Sequence, residues 1–114
     1  MRVPKKVTTS QFTIGSGGGT TSEVIDLVGK SLFAIQCPSG ISSTTCTFTA
    51  AASKADTYVA INDDAGSAIS ITVAASKIIM LLNKHLALRP FNYIKLVFGS
   101  SETSKTFTLY YIEE

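Results

Sequence analysis

Apolar positions recur at every second residue over most of the chain, in runs too short for helices and separated by turn-forming clusters. Phe12 and Ile14 alternate with Gln11 and Thr13 before the glycine-rich stretch 15–19 breaks the pattern. In residues 23–28, Val24, Asp26 and Val28 alternate with Glu23, Ile25 and Leu27, and Gly29-Lys30 closes the segment. Residues 32–37 are nearly all apolar, as a central strand covered on both faces would be. Residues 45–50 alternate strictly, with Cys46, Phe48 and Ala50 on one side and threonines on the other. Further strands are predicted at 58–61, at 69–73, at 91–98 and at 106–112. The last two are joined by a polar connector, 99–105.

Residues 76–88 are too densely apolar to show a period. They read either as a helix capped by Ser76 and stopped before Pro90, or as a strand to Leu82 followed by one helical turn. The β-branched pair Ile78-Ile79 favours the second. Eight or nine short strands with turn signals between them predict an all-β chain, an antiparallel, jelly-roll-like β-sandwich. At most one helical turn is expected, near residues 83–88. The expected organisation is an N-terminal arm over residues 1–11 and a single sandwich domain over 12–114.

Composition sharpens this picture. The 114 residues are 45% hydrophobic and only 16% charged, which excludes a disordered chain. Hydroxyls fill the gap: 14 serines and 14 threonines. Threonine suits a pleated surface and keeps it wet without charge. The longest apolar run, residues 78–82, is far short of the roughly 20 residues of a spanning helix, so no membrane partner is expected. A net charge of +2 gives no ground for a nucleic-acid partner. Residues 1–6 carry the positive charge of a secretory signal, but the polar residues 7–11 follow where an apolar region should. Synthesis in a cytosol without export is the expectation.

Candidate chemistry is sparse. His85, the sole histidine, sits among leucines, and no nucleophile–base set can be assembled around it. Residues 62–66 (Asn-Asp-Asp-Ala-Gly) resemble part of a calcium loop but lack its ligand spacing, and the same residues build turns. The glycines of 15–19 lack the ending of a phosphate loop and read as a linker or broad turn. Cys37 and Cys46 are too few for a disulfide framework or a zinc site; they read as buried thiols that could face each other across two strands. No catalytic residue, metal ligand or cofactor is assigned, and the chain reads as no enzyme. Most aromatics fall on core positions. Tyr93, Lys95, Tyr110 and Tyr111 form one local group that could face a partner.

The series Thr13-Ile14-Gly15-Ser16-Gly17, Leu32-Phe33-Ala34-Ile35-Gln36-Cys37-Pro38, Thr47-Phe48-Thr49-Ala50, Ile71-Thr72-Val73-Ala74-Ala75 and Phe91-Asn92-Tyr93-Ile94-Lys95-Leu96-Val97 runs in a suggestive order. In that order it resembles small β-sandwich virion proteins of tailed bacteriophages, such as capsid decoration (cement) proteins and domains of head and tail appendages. The resemblance spans about residues 12–112. It departs at 39–42, where related chains carry a bulky aromatic, and at 101–105, where they carry a longer loop. It implies a structural, non-catalytic role in the virion, in contact with a major capsid protein or a tail protein. A capsid decoration protein is the first expectation. A tail or fibre component and a glycan-binding β-sandwich module are the alternatives. A homo-oligomer is expected, with a trimer favoured, because symmetry multiplies weak contacts on a lattice. The basic, proline-stiffened segment Arg2, Pro4, Lys5, Lys6 and Val7 is the expected capsid-binding arm, able to add a strand to a partner.

Overall fold

The computed structural model describes residues 6–113. Ten strands and one short helix follow in order: β1 (Val7–Ile14), β2 (Gly19–Thr21), β3 (Ile25–Asp26), β4 (Lys30–Gln36), β5 (Thr45–Ala51), β6 (Val59–Ala60), β7 (Ser70–Thr72), β8 (Ile78–Met80), α1 (Lys84–Leu88), β9 (Tyr93–Glu102) and β10 (Lys105–Glu113). All pairings are antiparallel. The first sheet has the order β1-β10-β4-β8, and the second β2-β9-β5-β6. In the second sheet β3 also pairs with β9, and β7 also pairs with β5.

Taken as positions, β2 with β3 and β6 with β7 each share one partner strand. The ten elements therefore fill eight places, in the two-sheet order of a jelly roll. This is the expected fold class, and the short helical turn falls at Lys84–Leu88 as the second reading of residues 76–88 has it.

Alternation decides which side chains go inside. Along β5 the even positions Cys46, Phe48 and Ala50 are buried, while Thr47 and Thr49 stay partly exposed. Phe12, Phe98 and Phe107 meet between the sheets: the Phe107 ring lies 5.0 Å from Phe12 and 4.6 Å from Phe98. Such stacked pairs add to the area they bury.

Three expectations are corrected. The segment 23–28 forms only Ile25–Asp26, because the Asp26 carboxylate accepts the Val28 amide (2.8 Å) and Gly29 turns the chain with a positive φ of 73°. The polar residues 99–102 are not a connector. They continue β9 to Glu102, leaving Thr103 and Ser104 to cross from the second sheet to the first. The boundary drawn at residue 11 falls within β1, which pairs along its whole length with β10, from Val7 against Ile112 to Ile14 against Lys105. The glycine-rich stretch is an ordered turn (Gly18 amide to Gly15 carbonyl, 3.1 Å), also tied to the Ser104 amide.

Candidate functional site

The proposed arm divides. Arg2, Pro4 and Lys5 lie outside the described residues. Lys6 approaches Glu113 at 3.8 Å, and Val7 opens β1. One side of the strand expected of residues 7–14 is taken within the chain by β10, and its other side is an edge of the first sheet.

The tyrosine–lysine group does not hold together. Tyr93 and Lys95 are two apart on β9 and share the outer face of the second sheet, whereas Tyr110 and Tyr111 belong to β10 of the first. Adjacent strand residues point to opposite faces, and Tyr111 points inward and is buried. Its hydroxyl hydrogen-bonds the Ser10 hydroxyl (2.6 Å), and burial raises its pKa. Tyr110 donates to the Gln36 side chain at 2.6 Å. On the second sheet the Lys95 ammonium sits 4.4 Å over the Tyr58 ring.

The residues singled out for chemistry are placed as follows. His85 stacks on Phe33, 4.3 Å between ring centres, with Nδ1 against the Leu82 carbonyl. Cys37 and Cys46 are buried free thiols. Burial pushes the Cys46 thiol up to about 12 and raises Cys37 as well, which leaves both poorly nucleophilic. Asp63 accepts the amides of Ala65 and Ser67, both at 2.9 Å, so its carboxylate shapes the 62–66 turn. Among the described residues no group of three or more His, Cys, Asp or Glu side chains could hold a metal. Nor is any helix there long and apolar enough to cross a membrane.

Two features were not identified from the sequence. The first is Glu102, only 2% exposed at the end of β9. Its carboxylate accepts the Ser43 amide (2.7 Å), the Ser43 hydroxyl (2.5 Å) and the Ser42 amide (3.1 Å). Ser43 in turn accepts the Ser100 amide at 3.2 Å. Burial alone would raise the carboxyl's pKa; the Ser43 hydroxyl and the Ser42 and Ser43 amides outweigh it and hold it below its ordinary value. This latch fixes the loop between β4 and β5 to the end of β9.

The second is an apolar groove on the outer face of the first sheet, lined by Val7, Phe33, Ile78, Met80, Tyr110 and Ile112. Seven large aliphatic or methionine side chains are exposed among the described residues. Three of them, Val7, Ile78 and Met80, line this groove, and two more, Leu82 and Leu86, follow β8 in sequence outside its lining. A contiguous apolar patch of roughly 300–600 Å² is the largest an ordinary monomer shows, and such patches are often functional. The signal was present as the run at 78–82. Its outward direction was not, since periodicity cannot orient a run without a period.

No protein-family model matches the sequence, and no curated protein matches it. Among solved structures the chain is similar to the SPBc2 prophage-derived protein YomS, at 10% identity over the whole of both chains, with a TM-score of 0.49. At that level the likeness carries no argument about family or function.

Proposed function

We propose that the chain is a non-enzymatic structural protein of a phage virion, a capsid decoration protein that docks on the major capsid protein through the outer face of its first sheet. The observation that carries this is the gathering of exposed apolar side chains along one groove of an otherwise hydroxyl-coated sandwich. A jelly roll by itself hosts many functions. The ordered motif series of residues 13–97 supplies the phage context. The sheet's outer face supplies apolar area, which drives association without needing charge. Weak single contacts suffice where many copies bind one lattice.

The glycan-binding alternative draws no support from the second sheet, because the Tyr58 face is already capped by Lys95. Co-sedimentation with purified undecorated capsids tests the proposal. The wild-type chain is expected in the pellet, and Val7→Lys, on the groove's far side from β8, is expected to shift it to the supernatant. A wild-type chain that stays in the supernatant at saturating concentration contradicts the reading.

A further inference from the structure

Strand β8 ends the first sheet. Its register against β4 places Ile79 opposite Ile35, between Lys77, whose carbonyl accepts the Cys37 amide, and Leu81, whose amide donates to the Phe33 carbonyl. In an antiparallel ladder such hydrogen-bonded positions alternate. Residues 77, 79 and 81 therefore face β4, and Ile78 and Met80 turn their main-chain N–H and C=O groups toward the open side. Natural edge strands are usually guarded by charge, proline or a bulge. Residues 78–80 carry none of these, their only guard being the shortness of a three-residue strand that follows Lys77, and the Ile78 and Met80 side chains are 55% and 54% exposed.

The strand is also held between two unusual residues. Ser76 and Leu82 have positive φ values of 59° and 43°, a region that costs free energy for any residue with a Cβ, most of all for a bulky one. Leu82 is 71% exposed, so burial of its side chain does not offset that cost. Strain kept at an exposed apolar site points to a use.

We propose that β8 is a self-association edge, on which the β8 of a second copy of this chain pairs antiparallel across a two-fold axis at Ile79. With the axis there, Ile78 of one copy lies opposite Met80 of the other, twice. Both are outward-facing positions, so each pair exchanges two hydrogen bonds and all four main-chain groups of each strand are satisfied. The exposed side chains of Ile78 and Met80 meet their counterparts on the outer face. The two Lys77 residues stand at opposite ends of the short ladder, about 13 Å apart at about 3.3 Å per residue, and are largely screened. No charged partner strand is selected by an uncharged edge. The other free edge of the sheet, β1, is a poorer candidate because its outward row is polar: Gln11 is bonded to Thr108 and Thr13 to Thr106.

The contact is small. A stable interface buries on the order of 600–800 Å² per partner, more than a three-residue ladder covers. The association is therefore weak in solution and fills at the roughly millimolar effective concentration of neighbouring lattice sites. It joins two first sheets into one, engaging Ile78 and Met80 on the β8 side of the groove and leaving its Val7 side free. A two-fold contact stands in place of the three-fold one expected from the sequence, and it holds whatever surface the protein docks on.

Sedimentation equilibrium of the full chain, from about 10 μM to about 2 mM, tests the inference. The expected result is a rise of the mean mass from monomer toward twice that value. Ile78→Lys/Met80→Lys sets two lysines opposite each other in both pairs and should leave only monomer. Ile78→Lys/Met80→Glu sets opposite charges together in both pairs and should recover the dimer. All three chains should give the same circular dichroism, since the replaced side chains are half exposed. A wild-type chain that is monomeric at 2 mM overturns the inference. So does a dimer unchanged by the two lysines, or one lost equally in both double variants.

Discussion

The latch at Glu102 and the edge at β8 treat unmet polar groups in opposite ways. At the latch a carboxylate lies almost wholly out of water, and every donor it needs is supplied by two adjacent serines. No buried side-chain nitrogen or oxygen among the described residues lacks a partner. At β8 the main chain of two residues faces outward between apolar side chains that are about half exposed. The first region is closed and belongs to stability. The second is open and belongs to adhesion. Burying a charge is tolerated where geometry compensates it fully, and leaving an edge open is tolerated where something is meant to pair with it.

Mutations should separate the two regions. Glu102→Ala leaves the buried Ser43 amide and hydroxyl, and the more exposed Ser42 amide, without their acceptor and is expected to cost about 3 kcal/mol in urea unfolding. It should not change self-association. A cost below about 0.5 kcal/mol would show that the serines find other partners, and the latch would lose its structural meaning.

Acid probes the same contact more gently. The Glu102 pKa is lowered from 4.5, so the folded state holds the ionised form more strongly than the unfolded chain does. That contribution is complete above the ordinary value and is lost as pH falls through the lower folded value. Stability measured from pH 6 downward should drop through this window in the wild type, and Glu102→Gln should flatten the drop. An unchanged slope in the variant would assign acid sensitivity to other carboxyls.

At the open edge the effects on stability are smaller. Leu82→Gly removes the left-handed strain without unburying a core residue and should raise stability by about 1 kcal/mol while weakening self-association. Lower stability would mean that the exposed leucine packs more than its 71% exposure implies. Ile78→Ser should change stability by no more than about 0.5 kcal/mol, as surface substitutions do. A large loss there would mean that the edge is already covered.

The two regions also differ in how far the sequence announces them. Strict alternation over residues 45–50 made β5 readable, because one face of a strand must be apolar when the other is wet. The order of two sheets was legible only as a class, since β9 and β10 are neighbours in sequence yet lie in different sheets. Tyr110 and Tyr111 could have been separated from sequence alone, because neighbours on a strand cannot share a face. Glu102 could not. It sits in a run of serines and threonines that looks like a solvated connector, and only the approach of Ser42 and Ser43, some 60 residues away in sequence, makes it a buried anchor. The apolar run at 78–82 was visible, but an isolated run looks the same whether it is buried or displayed.

Amide hydrogen exchange resolved at single residues tests the contrast most directly, in dilute and in concentrated solution. The amides of Ser42 and Ser43 should be protected equally in both. Those of Ile78 and Met80 should exchange freely when dilute and slow markedly when concentrated. Protection of Ile78 and Met80 in dilute solution, or exchange there that no concentration slows, would contradict the assignment of β8 as an open, adhesive edge.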